Sequence, residues 1–547
     1  MRPDHKITDH KLILLPIHDG PMSISCSEPA LARLAEALAC VLRRGDVIAL
    51  YGELGVGKTT FARYLIRALA GHDEEVPSPT FSLLQTYESP RAVIYHFDLY
   101  RLEDPQETLE IGFDDACEQA LVLVEWPERA GDFLPDSRLE LHLTESDDPL
   151  LRNAELIGLY DWQSRLLRFE ARQNFLARSG YGEAQQSYLQ GDASTRAYAR
   201  ICTGDETKAG DGRTEARRHL ILMDQPAMAA SPPLPTSQSV PGGLPYSRIA
   251  HLAEDIRPFV AVALALHQAG FSAPEIHDHD LAQGFLLLED LGEQVFGREI
   301  ERGRPQELLW QAAVDALVAL RRLPAPEILP LPDGSHHVLP RFDCAAMRVE
   351  VSLLIDWLWP VLHGAPVAND IRDEFFDLWM PIFARLQEDA NHWLLRDYHS
   401  PNLLWLPQRR PPANVGIIDF QDALRGPAAY DLVSLLQDAR LDVAVDLERQ
   451  LLDYYCGQAA AQGPGGGFDR SKFAFEYAAM GAQRNSKILG IFARLALRDG
   501  KPQYLTHLPR IWGYLASNLR HRELAALGSW YDRHFPQELR ERLINIS

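Results

Sequence analysis

Lys58 and Thr59 close the glycine-spaced run Gly52-Glu53-Leu54-Gly55-Val56-Gly57, and Asp397, Asn402 and Asp419 recur far downstream. Both groups have the makings of phosphoryl chemistry. In the first, glycines let successive backbone N–H groups turn inward around a phosphate, Lys58 reaches the terminal phosphates, and the Thr59 hydroxyl faces magnesium. The stretch from Gly52 to Thr60 is therefore expected to bind ATP. In the second, Asn402 opens the apolar stretch "NLLWL" and Asp419 closes "VGIID". Pairing the two as a hairpin sets 402 opposite 419 and 406 opposite 415. An amide and a carboxylate then lie side by side to hold magnesium on ATP, and Asp397 is left to orient an acceptor hydroxyl and take its proton.

These groups need elements to carry them. Leu31, Leu34, Leu38 and Val41 recur at helical spacing over 28–43. "DVIAL" reads as a buried strand before the glycine run, and a helix follows it as far as Gly71. Further strands are expected at 92–100, 121–126 and 138–143. Such alternation predicts an α/β layer with a largely parallel sheet. "LVLVEW" delivers Glu125 at a strand end, where a second acid would complete a magnesium shell beside Thr59.

Past about residue 158 the pattern changes. A helix over 165–180 leads to two strands, "GDASTRAYARI" and "RHLILMDQP", which need the strand in "GFLLLEDLG" to complete a sheet. The Pro/Ser/Gly-rich segment 226–245 between them reads as a flexible insertion. From about 305 onward the pattern is mainly helical.

Composition narrows the classes. With 547 residues, two or three domains are expected. A formal net charge of −22 argues against coating nucleic acid or an anionic membrane, so no direct stable tRNA binding and no membrane partner are expected. Six scattered cysteines, without CxxC or metal-ligand spacing, read as reduced thiols of a cytoplasmic protein. The N-terminal apolar run is too short for a signal sequence. "EIHDHD" and "SHHV" read as turns rather than metal sites.

The motifs "SPTFSL" (78–83), "HFDLYRL" (96–102), "EIGFDD" (110–115) and "LVLVEWPERAG" (121–131), with the glycine run, resemble the TsaE family, the small ATPase of the tRNA threonylcarbamoyladenosine machinery. The likeness covers residues 22–158. It implies a P-loop NTPase fold and an essential Asp98 near the nucleotide, with Lys58 and Glu125 at the catalytic centre. It also implies Thr80 near the γ-phosphate, counted with Thr59 and Glu125 among the magnesium-site residues, and Trp126 beside the site. Partners of the TsaB and TsaD type are implied as well.

Residues 165–547, through "DYHSPN" and "FQDALRGPAAYDLVSLL", look like the aminoglycoside phosphotransferase-like kinases, an α+β two-lobed protein-kinase-like fold with Asp431 in a structural position. Gly191, Asp192, Ala193 and Ser194 would form the phosphate-covering loop with Arg196 after it, and Glu289 and Leu291 the adenine-holding hinge. Within that family "GDASTRAYAR", "LILMDQP", "GFSAPEI" and "AQRNSKILGIFARLALRDGKPQYL" are similar to the anomeric kinases of N-acetylmuramate and N-acetylglucosamine. Two departures stand out: Leu395 where many relatives have His, and Met223 or Asp224 where most kinases place the phosphate-binding lysine. Arg196 or Arg200 is expected to replace that cation.

Arg484, Lys487, Arg494 and Arg498 would share a helix face. Arg484 and Lys487 are the candidates for meeting an anionic group on the acceptor, although a solvated or salt-bridged face has the same pattern. The expectation is a bifunctional protein using ATP and Mg2+, with two independent domains: a tRNA-modification ATPase and an amino-sugar kinase. The alternatives are a kinase of an aminoglycoside, choline or similar amine, and a non-catalytic nucleotide-binding module.

Overall fold

The computed structural model describes residues 22–71, 74–189, 196–203, 218–228, 243–388, 390–461 and 468–544. The chain forms two compact units, Met1–Pro226 with His277–Asp290, and Ala227–Ile276 with Leu291–Ser547.

The first unit opens with a seven-stranded sheet. Its strands are β1 (Met22–Cys26), β2 (Val47–Tyr51), β3 (Leu84–Tyr87), β4 (Ile94–Asp98), β5 (Leu121–Glu125), β6 (Leu139–Glu145) and β7 (Arg152–Gly158), ordered β1-β7-β6-β2-β5-β4-β3. The four central strands β6, β2, β5 and β4 are parallel; β7 and β3 run against them, and the edge strand β1, antiparallel to β7, runs with them. Ile48 and Leu50 face one layer and Val47 and Ala49 the other. This is why the central strands read as continuous apolar runs: both faces are covered. One layer holds α1 (Glu28–Ala39) and α2 (Lys58–Ala70), through Leu31, Leu34, Phe61 and Leu65. The other holds the short α3 (Glu107–Glu110) and α4 (Phe113–Gln119), through Phe113 and Ala116. α2 stops where Gly71, at φ 76°, turns its N–H back to the Arg67 carbonyl.

α5 (Asp161–Arg178) leads into a second sheet in the same unit, built from β8 (Gln185–Leu189), β9 (Ala197–Thr203), β10 (Arg218–Asp224), β11 (Ile276–Asp280) and β12 (Phe285–Glu289). Its order is β11-β12-β10-β9-β8; β8 to β10 and β12 pair antiparallel, with Leu220 opposite Glu289. The expected sheet partner of the two 190–226 strands is thus in place.

Residues 158–165 lie within the first compact unit, and packing continues across them. Leu166 and Phe169 on α5 join the core of the first sheet, while Phe175 and Leu176 join the core of the second. Cys40, just past α1, is buried in that second core beside Phe285 and Leu287. Arg165 adds two hydrogen bonds to Asp46, at 2.6 and 2.7 Å. One amphipathic helix serves both sheets, so the two are continuous rather than independent.

The second unit is mainly helical: α6 (Tyr246–Ile249), α7 (Arg257–Gln268), α8 (Phe296–Glu301), α9 (Gln306–Arg321), α10 (Cys344–Leu353), α11 (Trp359–His363), α12 (Asn369–Leu386), α13 (Ala429–Leu436), α14 (Val445–Ala460), α15 (Arg470–Leu497), α16 (Leu508–Asn518), α17 (Ala525–His534) and α18 (Gln537–Ile544). It also holds three two-stranded ribbons. These pair β13 (Ile328–Pro330) with β14 (His336–Val338), β15 (His392–Leu394) with β18 (Leu424–Gly426), and β16 (Leu403–Trp405) with β17 (Val415–Ile417). Among the described residues no helix is long and apolar enough to cross a membrane, and no cluster of His, Cys, Asp or Glu could hold a metal ion by itself.

Candidate active sites

The glycine run lies between β2 and α2, at the carboxyl end of a central parallel strand. Gly52 (φ 140°) has no room for a side chain: a Cβ there would stand 2.4 Å from the Leu143 carbonyl oxygen. Gly55 and Gly57 also hold positive φ, so the loop is closed by backbone that other residues rarely adopt. Val56 turns inward and is buried, whereas Leu54 is exposed. Lys58 is buried and folds back over the loop, donating to the carbonyls of Gly52 (2.6 Å) and Glu53 (3.0 Å). Its ammonium lies 3.7 Å from the ring centre of Trp126, a residue at φ 59°. Burial pushes the Lys58 pKa down, opposed by Glu125, Glu128 and Asp98.

Parallel pairing sets Leu50, Glu125 and Asp98 level on three adjacent strands. Thr59 Oγ1 donates to Glu125 Oε2 at 2.8 Å. Thr80 Oγ1 donates to Asp98 Oδ2 at 2.5 Å and lies 2.7 Å from Ser78 Oγ. Asp98 Oδ1 accepts from the Tyr100 N–H. Lys58, Thr59, Asp98, Glu125 and Trp126 thus converge, and Thr80 enters through Asp98. The Thr59 hydroxyl beside a buried carboxylate is a hard-oxygen set of the kind magnesium takes.

One residue escaped the sequence reading. His96 is fully buried, and its Nε2 sits 2.9 Å from Glu125 Oε1. The signal was available: His96 and Asp98 are two apart on a strand, so both point to the face that carries the site.

In the second sheet Gly191, Asp192, Ala193 and Ser194 lie outside the described residues. Arg196 stands just before β9. Of the two candidate positions for the absent lysine, Met223 is buried and Asp224 is bound by Arg168, whose Nε lies 3.0 Å from Oδ1. Arg200 pairs with Asp290, Nε to Oδ2 at 2.7 Å. It is register-paired with Ile221, on the face opposite the Leu220–Leu222 core. Glu289 ends β12, and Leu291 packs on Leu404 and Leu406 in the second unit.

The catalytic-loop candidate follows β15. The hairpin register differs from the expected one: Leu403 faces Ile417 and Trp405 faces Val415, which sets 402 opposite 418 rather than 419. Asn402 and Asp419 still meet, with Nδ2 3.4 Å from Oδ2, because Asp419 adopts φ 62° and turns its carboxylate back. Asn402 Nδ2 also donates to the Asp397 carbonyl at 3.0 Å. The loop itself is pinned from below. Asp431 accepts from the N–H groups of Leu395 (2.6 Å) and Arg396 (2.9 Å), and burial pushes its carboxyl up to about 7 against those bonds. Arg396, at φ 72°, is buried against Glu350 and donates to the Ala250 carbonyl.

The cationic stripe is broken up. Lys487 Nζ pairs with Glu350 Oε1 at 2.8 Å, and exposed Arg498 pairs with Asp499. Lys487 is thus held in an ion pair. Arg484 is buried on the side of α15 that faces α13, and donates to the Gln437 carbonyl at 3.4 Å.

Comparison with known proteins places these two sites. Residues 25–154 match the family described as threonylcarbamoyl adenosine biosynthesis protein TsaE, and residues 186–470 match the phosphotransferase enzyme family. The chain belongs to both families, as a fusion. It is 43% identical over 122 residues to the tRNA threonylcarbamoyladenosine biosynthesis protein TsaE of Rickettsia bellii, covering 22% of this chain and 85% of that one. Over 376 residues it is 38% identical to the N-acetylmuramate/N-acetylglucosamine kinase of Caulobacter vibrioides, covering 68% of this chain and 98% of the relative. A kinase of the same name from Pseudomonas aeruginosa is 33% identical over 353 residues, 64% of this chain and 89% of the relative. The P-loop of the fusion lies in its TsaE part, and the Asp397 loop in its phosphotransferase part.

Proposed function

We propose that the fusion has two activities. Its TsaE part hydrolyses ATP in support of threonylcarbamoyl modification of the tRNA adenosine next to the anticodon, with partners of the TsaB and TsaD type, in the cytoplasm. Its phosphotransferase part moves the γ-phosphoryl group of ATP to the anomeric hydroxyl of N-acetylmuramate or N-acetylglucosamine. The meeting of Asn402 and Asp419 beside the Asp397 loop carries the second reading. The near-complete span of the amino-sugar kinase relative favours that acceptor over an aminoglycoside or choline.

Thr59 and Glu125 would hold magnesium in the first site, and Asn402 with Asp419 in the second, where the ion would neutralise charge on the phosphates. Lys58 leaves the Gly52 and Glu53 carbonyls for the phosphates, while Asp98 fixes Thr80 beside them. In the second site Asp397 orients the anomeric hydroxyl and accepts its proton as the O–P bond forms and ADP departs.

The test uses full-length protein with magnesium and γ-labelled ATP, offered N-acetylmuramate, N-acetylglucosamine, kanamycin and choline in parallel. The expected result is label on an amino sugar, cleaved by mild acid as an anomeric phosphate is, and absent with Asp397→Asn. Label only on kanamycin or choline overturns the acceptor assignment, and no label on any acceptor leaves a nucleotide-binding module.

A further inference from the structure

Two cations three residues apart on α15 meet different fates. Lys487 is held at 2.8 Å by Glu350, a fully buried carboxylate that also binds Arg396 and accepts from Gln483 at 2.8 Å. Its ammonium is thus engaged by a carboxylate, one that it shares with Arg396. Arg484 is only 4% exposed, yet among the described residues no carboxylate lies within ion-pair distance of it. Its hydrogen bond is the long one to Gln437.

Two nearby acids are engaged elsewhere. Asp431 is turned onto the N–H groups of Leu395 and Arg396, and Asp438 onto those of Ser400, Arg440 and Leu441. Arg484 nevertheless stands next to the catalytic loop. His399, two residues after Asp397, donates from Nδ1 to the Asp397 carbonyl (3.0 Å) and accepts at Nε2 from Arg440 (2.7 Å). Burial lowers the His399 pKa; Asp438 and Asp397 oppose that, while Arg440 and Arg484 add to it. Donating at Nδ1 and accepting at Nε2 is the bonding of a neutral imidazole, and the Arg440 and Arg484 charges both act on it.

A guanidinium this deep has given up hydration without gaining an anion, which is costly. Its planar fork of donors matches a carboxylate. Lys58 in the P-loop is likewise a buried cation without a carboxylate in ion-pair contact: it rests on the Gly52 and Glu53 carbonyls and the Trp126 ring.

We propose that Arg484 receives the carboxylate of the acceptor and sets the preference for N-acetylmuramate over the neutral N-acetylglucosamine. The assignment rests on the amino-sugar reading above. Lys487, bound to Glu350, takes no part in it.

Steady-state kinetics of the full-length wild type, Arg484→Gln and Arg484→Lys on both sugars test this, with thermal melts to verify folding. Arg484→Gln is expected to lower kcat/KM for N-acetylmuramate by about 30-fold, mainly through KM, and that for N-acetylglucosamine by no more than about 3-fold. Arg484→Lys should recover part of the loss. Equal losses on both sugars, or a raised KM for ATP with an unchanged sugar ratio, overturn the assignment while leaving the amino-sugar reading intact. A wild type inactive on both sugars overturns both.

Discussion

The Asn402 amide lies 3.4 Å from the Asp419 carboxylate although the two residues are not opposite each other in their hairpin. A slip of one residue moves a strand's side chains to the other face. Here the left-handed backbone of Asp419, φ 62°, undoes that slip just past the last ladder pair. Asp419→Ala and Asn402→Ala are each expected to cut sugar phosphorylation at least ~100-fold with little change in Tm, and the double variant should lose less than the sum. Labelled phosphate transfer by the three variants measures this. Strict additivity would mean the two side chains do not act as one unit.

His96 holds Glu125 from behind, so it governs how that carboxylate meets Thr59. His96→Gln should lower partner-stimulated ATP hydrolysis by about 10- to 100-fold, as removal of an orienting partner does, and leave sugar phosphorylation within ~2-fold. Phosphate release with the two partner proteins present, beside a sugar-kinase assay of the same preparation, separates the two activities. A parallel fall in both would point to damage spreading through α5.

Glu350 gives a pH signature to the kinase core. Arg396, Lys487 and Gln483 overcome the burial penalty and hold its pKa down at about 2, against the ordinary 4.5. The folded state therefore binds its proton less readily than the unfolded chain. The stabilisation is fully present above pH 4.5 and is lost as pH falls toward 2, and that gap corresponds to about 3 kcal/mol. Glu350→Gln should be destabilised at pH 7, and its deficit relative to wild type should shrink between pH 4.5 and 3. Urea midpoints across that range read it directly. A deficit that stays constant down to pH 3 rules out the ion pair as its source.

The junction along α5 makes the second sheet depend on the first. Cys40 is 4% exposed within the Phe175–Phe285 core. Removing residues 1–159 would bare that core and the Arg165 side chain that Asp46 now binds. The truncated chain should melt several degrees below the corresponding transition of the full protein, since ~2 kcal/mol of lost burial shifts Tm by that much. Scanning calorimetry of both chains decides it, and an unchanged transition would restore the independence expected from sequence.

Much of each site was legible because its chemistry is local. Gly52, Gly57, Lys58 and Thr59 lie within eight residues, and glycine is required wherever backbone N–H groups curl around a phosphate. Continuous apolar runs ending in Glu125 identified a buried parallel strand with an acid at its tip. The spacing from Asp397 to Asn402 survived a wrong register because one loop joins them.

What depended on distant partners was decided only by the fold. Sequence spacing put Arg484 and Lys487 on one helix face but could not say which would be ion-paired. Glu350, more than a hundred residues earlier, reaches one and not the other. Nor could periodicity reveal that α5 serves two cores, or that His96 would meet Glu125 on a neighbouring strand. Local geometry follows from residue type and spacing. Pairing of buried charges follows from which side chains packing brings within about 3 Å, and only the tertiary structure sets that distance.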